Sequence, residues 1–310
     1  MVTVDGLTLL VAMYCSQGLS GRIELLDAVT GAVLDSGWTT FKEWWFDPER
    51  RLRTFTVDGI PHVAYVWGRG GSYQVERVTL DGFVAVGSFE DDLGSGPAVP
   101  AVVGGEPVVA THGPTSVRLR HWRDGHPVCP MWTAPSGWTC DELVAVRGGV
   151  RVWLTPDGAG RWDQWLWDPV ADRPAGPPLT MRGYRCGPWT VDGHPLLLYK
   201  VDWRDWQLWD LARRAPLGPG LGDLGLENPA AGVLHGRPVL AGILDSAAVL
   251  YDVGTGRQLA DRTMPHPPLA TAVAGDTLWA VDTDGGFVRH TVPVRDIHPS
   301  ALRAASAGLL

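Results

Sequence analysis

The sequence predicts an all-β fold: a seven-bladed β-propeller of four-stranded antiparallel blades. Three observations predict it. A turn glycine followed by an apolar strand recurs at Gly6, Gly59, Gly105, Gly149, Gly193, Gly236 and Gly275, at intervals running from 53 down to 39 residues. A second anchor, the residue closing the next strand, recurs with it at Asp27, Leu80, His121, Asp168, Asp210, Asp252 and His290. The chain also carries 39 Gly and 25 Pro in 310 residues, the turn content that many short strands require. A period of roughly 40–45 residues is that of a propeller blade. Helical solenoids of similar period need amphipathic runs spaced at 3.6 residues, and these are absent here.

Each unit divides into four strands. The inner strand is clearest at Ala98–Val103 and Leu143–Val146. The strand after the glycine turn reads "PVVATH", "VRVWL", "PLLLYK" and "TLWAVD", short runs rich in Val, Leu and Trp. A third strand ends at the Asp-type anchor, and outer strands are expected at Ala32–Ser36 and Pro216–Leu217. One such sheet cannot bury both faces, whereas seven stacked about an axis can. The propeller is expected over 1–298, with "TVPVRDI" supplying the last outer strand and 299–310 forming a short helix or disordered tail. The last blade is expected to close the ring by packing on the first, with a blade shared between both termini as the alternative.

"WLWDPVADRPAGPPL" at 165–179 and "QLWDLARRAPLGPGL" at 207–221 carry the Trp-Asp pairs Trp167–Asp168 and Trp209–Asp210. With "DGHPLLL" between them and "HGRPVLA" after them, the chain resembles the WD-repeat β-propeller family, in a bacterial form with degenerate repeats. In that family a Gly-His pair, a turn Asp and the Trp form a hydrogen-bonded set. Asp245 and Asp284 stand where the turn Asp is expected. Gly-His pairs are missing, with His266 the one stand-in, so most blades are expected to rest on apolar packing. "LLDAVTGAVLDSGW" at 25–38 resembles the repeat of quinone-binding propellers, but it occurs once, and no cofactor is expected.

Net charge is −8, and Lys/Arg residues form no cluster. Nucleic acid and anionic membrane surfaces are therefore not expected partners. No run of about 18 apolar residues exists to span a membrane. The N-terminal apolar run is short and lacks a basic start, so it reads as first-blade strand, and the cytoplasm is the expected location. The cysteines at 15, 129, 140 and 186 show no metal-ligand spacing and read as free thiols.

The 16 Trp sort into two groups. Trp67, Trp153, Trp165, Trp167, Trp206, Trp209 and Trp279 lie on strands and read as inter-blade core. Trp38, Trp44, Trp45, Trp132, Trp138, Trp162, Trp189 and Trp203 lie in or beside turns, most of them on the rim shared by the loops into inner strands and between second and third strands. There "GWTTFKEWWFDPERR" at 37–51 accounts for the long first interval. Its capping box, Thr40 to Glu43, predicts a short helix that carries Trp44, Trp45 and Phe46 and stops before Pro48. Glu90, Asp91 and Asp92 add acidic charge one blade on. The candidate binding residues are thus Trp38, Trp44, Trp45, Phe46, Glu90, Asp91, Asp92, Trp138, Trp189 and Trp203, suited to an Arg/Lys-rich protein or peptide through ion pairs and cation–π contacts.

Catalytic signatures are absent: there is no GxSxG, HExxH or phosphate loop. "GRGGS" at 68–72 joins two strands, and "RDGH" at 123–126 reads as a hairpin turn rather than a metal site. The sequence therefore reads as a non-catalytic interaction scaffold without metal or cofactor. The alternatives are a small-molecule or carbohydrate binder and an enzyme with its site at the channel mouth.

Overall fold

The computed structural model describes residues 2–15, 20–40, 52–67, 72–90, 98–158, 163–180, 185–191, 194–201, 205–264, 266, 268–274, 276–282 and 287–292. Among them every regular element is a strand, and the strands form seven antiparallel sheets in chain order. These are the blades of a β-propeller. Thr40, where the expected helix would start, is the last residue of a strand; the rest of that helix, and the tail at 299–310, lie outside the described residues. The expected last outer strand does too, apart from Thr291 and Val292. The chain divides into two compact units, Met1–Thr180 and Met181–Leu310.

The first unit holds four blades. Blade one is β1 (Val2–Val4), β2 (Leu7–Cys15), β3 (Ser20–Asp27) and β4 (Val33–Thr40). Blade two is β5 (Leu52–Val57), β6 (Ile60–Trp67), β7 (Ser72–Thr79) and β8 (Gly82–Glu90). Blade three is β9 (Val99–Val103), β10 (Glu106–His112), β11 (Ser116–His121) and β12 (Trp132–Thr133). Blade four is β13 (Trp138–Val146), β14 (Gly149–Pro156), β15 (Asp163–Asp168) and β16 (Arg173–Pro174), with β17 (Leu179–Thr180) paired to β15 as well.

The second unit holds three blades. Blade five is β18 (Arg185–Val191), β19 (His194–Val201), β20 (Asp205–Asp210) and β21 (Ala215–Pro216). Blade six is β22 (Glu227–Leu234), β23 (Arg237–Leu244), β24 (Ala247–Asp252) and β25 (Arg257–Thr263). Blade seven is β26 (Pro268–Ala274), β27 (Thr277–Asp282) and β28 (Phe287–Thr291), three strands among the described residues.

Where they are described, both sequence anchors prove to be hairpin devices at the same end of the blade. The glycine anchor closes the turn between first and second strands. At Asp5–Gly6 the φ values are 48° and 81°, and at His235–Gly236 they are 49° and 75°. Two successive positive φ values make the tight two-residue turn whose twist matches the flanking strands. Blade four departs by one position: the positive φ is at Gly148, and Gly149 opens β14 opposite Val146.

The Asp anchor caps the turn between third and fourth strands. One Oδ1 of Asp27 accepts the backbone N–H groups of Val29 and Thr30, each at 2.7 Å. Asp168 accepts those of Val170 and Ala171, and Asp210 those of Ala212 and Arg213. Asp252 accepts that of Thr255. The "LLDAVTG" and Trp-Asp motifs are therefore copies of one side-chain-capped turn. The Trp of the pair serves elsewhere: Trp167 Nε1 donates to Asp172 at 3.3 Å, and Trp209 Nε1 to Gln207 at 3.2 Å.

Apolar seams join neighbouring blades within each unit. Leu9, Ile23 and Leu25 of blade one meet Val63, Tyr65 and Val78 of blade two. Leu196, Leu198 and Leu208 of blade five meet Leu240 and Val249 of blade six. Trp153, Trp206 and Trp279 are buried as expected of strand Trp, and Trp165, Trp167 and Trp209 are half-buried. Cys129 and Cys140 are free thiols, and burial pushes the Cys140 thiol up to about 11. Among the described residues no helix is long and apolar enough to cross a membrane, which says nothing of spanning by strands.

Candidate functional site

A cleft of about 310 Å³ opens where blade two meets the third hairpin of blade three. It is built from a cross-strand row. The Asp58–Gly59 turn sets Val57 opposite Ile60, which places Phe55 opposite His62, and the next pairing places His62 opposite Arg77. Phe55, His62 and Arg77 therefore stand side by side on one face of blade two. Facing them are Trp122 and Arg123, from the turn after β11.

That turn is held from several directions. The N–H of Gly125 donates to the carbonyl of His121, and Arg120 Nη1 donates to the carbonyl of Gly125 at 2.8 Å. Asp124 Oδ1 accepts the N–H of His126 and lies 3.2 Å from His121 Nδ1. The hairpin expected from "RDGH" is thus present. Its approach to blade two depends on Gly87: a Cβ there would overlap the carbonyl oxygen of Trp122 and sit 2.9 Å from the Cα of Arg123. Gly87 therefore admits the backbone of blade three against β8.

Inside the cleft the rings interlock. His62 stacks on Phe55 with centroids 5.4 Å apart, and Trp122 meets His62 edge-on at 4.6 Å. Both His62 and Trp122 are 3% exposed. Arg123 lies over the Trp122 indole at 5.1 Å. His62 Nδ1 is 2.9 Å from the Ile60 carbonyl, an acceptor, so Nδ1 carries a proton and Nε2 is the titrating nitrogen. Burial holds the His62 pKa below 6.5, against the Ile60 bond and with help from Arg77 and Arg123. Asp58 is the one carboxylate of the lining, whose remaining residues are Val57, Ile60 and Val86. The arrangement offers two arginines and a buried imidazole beside an apolar wall, which suits an anionic group attached to an apolar body.

The residues expected from the sequence to bind a partner fall differently. Trp44, Trp45, Phe46, Asp91, Asp92 and Trp203 lie outside the described residues. Trp38 lies on β4 opposite Arg22, with only its backbone described. Glu90 ends β8 and is exposed. Trp138 opens β13 half-buried and meets Trp165 edge-on at 6.4 Å. Trp189 is half-buried against the blade five–six seam. Trp132, another turn Trp, donates from Nε1 to Asp172 at 2.8 Å and ties blade three to blade four. Of those with described side chains, Glu90, Trp132, Trp138 and Trp189 do not line the cleft. His62, Arg77, Trp122 and Arg123 were missed because the row joins residues up to 22 positions apart and its facing turn comes from the next blade. The "VDGI" turn at 57–60 was the available signal, since it alone aligns Phe55 with His62.

No family model and no curated protein sequence matches this chain. Solved structures match its fold. The dihydro-heme d1 dehydrogenase NirN in complex with DHE is similar at a TM-score of 0.51 and 16% identity, over 94% of this chain and 62% of that one. A chain of the mitotic checkpoint complex is similar at 0.50 and 11% identity, over 90% and 88%. BamB from Moraxella catarrhalis is similar at 0.48 and 12%, over 93% and 83%. The likeness is one of fold. This chain spans 62% of the length of the dehydrogenase chain it matches. Propellers host unrelated activities, so a likeness at this level assigns none.

Proposed function

We propose that this chain is a non-catalytic interaction module that docks a protein or peptide on the ends of blades one to four where the first and third hairpins lie. One observation carries it. Among the described residues, every exposed large apolar side chain falls between Leu7 and Val170, in the first unit. All but Val128 and Met131 lie in or within three residues of those hairpins, as Val29 (60% exposed), Ile60 and Val170 do. Asp35 of β4 accepts the N–H of Phe83 of β8 at 2.9 Å, which ties the outer strands of blades one and two together. Apolar side chains gathered on one end, with charged groups beside them, are the usual makings of a docking surface. The similar chain of the mitotic checkpoint complex is part of an assembly, which fits this reading.

Selection of a random-peptide library on the immobilised protein tests the proposal. Selected peptides should lose binding to the Ile60→Asp/Leu80→Asp variant. The rival surface is the aromatic and acidic rim around Trp44, Trp45 and Glu90, proposed for an Arg/Lys-rich partner. Binding lost instead in Trp44→Ala/Trp45→Ala, with an unchanged melting temperature, would place docking there.

A further inference from the structure

We propose that the cleft beside Trp122 is a carboxylate-binding subsite, and that the docked partner is a peptide presenting an Asp or Glu side chain next to a bulky apolar residue. This rests on the docking reading above and specifies the partner's chemistry. The argument is one of complementarity. Arg77 and Arg123 converge from two blades on one cleft, and neither forms an ion pair among the described residues. They do so in a chain of net charge −8, where arginines left without carboxylate partners are out of keeping with the surroundings. Arg123 lies over the Trp122 indole, its guanidinium carbon 5.1 Å from the ring centroid, a contact that restricts its fork and lowers the entropy lost when it grips a carboxylate. His62 lies between them with Nδ1 committed to the Ile60 carbonyl, so Nε2–H can serve as a third donor once the ring gains a proton. Val57, Ile60 and Val86 form an apolar wall beside these donors, and Ile60, 43% exposed, leads from the cleft onto the docking surface. An apolar residue adjacent to the acidic one would lie on that wall.

The site is large enough for one side chain and its neighbour, and its rigidity comes from the hairpin. Gly87 lets blade three approach, Gly125 at φ 70° lies against Phe89, and the Asp124 and Arg120 hydrogen bonds lock the turn between. A preformed site of this kind loses little in ordering its donors.

The test uses the full chain and three probes: acetyl-Leu-Asp-Leu-amide, its Asn counterpart, and acetate. Binding is followed by the Trp122 indole and His62 ring signals in NMR titrations. The Asp peptide should bind roughly tenfold tighter than the Asn peptide, the difference expected of one hydrogen-bonded charge. Arg123→Gln and Arg77→Gln should each erase that difference. Both arginines are exposed, and unchanged melting temperatures would show that the variants fold. Equal affinity for the Asp and Asn peptides would overturn the carboxylate specificity while leaving docking in place. Acetate binding as tightly as the Asp peptide would overturn the peptide assignment in favour of a small anion. Failure of every probe to move the Trp122 or His62 signals would overturn the subsite. Docking itself falls only if the library selection returns no binder sensitive to Ile60 and Leu80.

Discussion

The indole of Trp122 stands edge-on to the imidazole of His62, their centroids 4.6 Å apart and their planes at 88°. One ring comes from the third hairpin of blade three and the other from the second strand of blade two. The pair is at once part of the inter-blade core and the floor of the cleft. Trp122→Ala should cost about 3–5 kcal/mol, as truncation of a buried Trp does. Gly87→Ala should also destabilise, by forcing the Trp122–Arg123 backbone away from β8. Chemical denaturation measures both. A Gly87→Ala variant as stable as the wild type would mean that the two blades can separate without loss.

Binding at the cleft should depend on pH. The groups facing His62 are Arg77 on its own sheet, Arg123 from blade three and Asp58 in the lining, while Asp124 and His121 of the same turn pair with each other. Burial keeps His62 below its ordinary 6.5. A bound carboxylate favours the imidazolium, so it raises that pKa, and by linkage protonation tightens binding. Affinity for the Asp peptide should therefore rise as pH falls from neutrality through the His62 titration, then level off. The Asn peptide should show a much smaller change. Titrations at several pH values decide it, and His62→Gln should flatten the Asp-peptide curve.

Glu76 gives a separate pH signature, in stability. It lies opposite Val63 at the blade one–two seam, where burial raises its pKa above 4.5 against bonds from Tyr65 and Gln74, with Asp35 adding repulsion. A carboxyl with a raised folded-state pKa binds its proton more tightly when folded. Its contribution is therefore full below about 4.5 and lost as pH rises through the elevated value. Glu76→Gln should remove that slope and raise the melting temperature near neutral pH. An unchanged or lower melting temperature there would contradict the assignment.

Arg237 and Asp252 form an ion pair at 2.9 Å in blade six, each side chain 3% exposed. Arg237→Ala leaves a buried carboxylate and should cost about 3–5 kcal/mol, with little dependence on salt. The exposed pair of Lys200 and Asp223 should contribute under about 1 kcal/mol and weaken with salt.

The Asp that ends the third strand of blades one, four, five and six is a cap before it is a sequence signature. Asp168→Ala and Asp210→Ala should each cost about 1 kcal/mol, by analogy with other side-chain caps. Asn should restore most of it, because its amide oxygen accepts the same N–H groups. Equal losses for Ala and Asn would assign the effect to charge instead.

The turn chemistry that makes these caps is also what made the fold legible. Gly and Asp at fixed offsets carry the hairpins, and hairpins depend on near neighbours in sequence. Among the described glycine anchors only Gly149 misled, because the adjacent Gly148 could take the positive φ equally well. The cleft was hidden for the opposite reason. Phe55 and His62 are aligned by one turn, but Arg77 joins through a second connection and Trp122 through packing of the next blade. Aromatic count drew attention to turn Trp instead, and those whose side chains are described, such as Trp138 and Trp189, are half-buried and packed against neighbours. Abundance of Trp says nothing of which face it meets.

Docking on the first unit is tested most directly by calorimetric titration of one library-selected peptide against three proteins: wild type, Ile60→Asp/Leu80→Asp and Trp44→Ala/Trp45→Ala. Docking on the hairpin ends predicts at least a tenfold loss of affinity confined to the Ile60/Leu80 variant. Undiminished binding to that variant would contradict it.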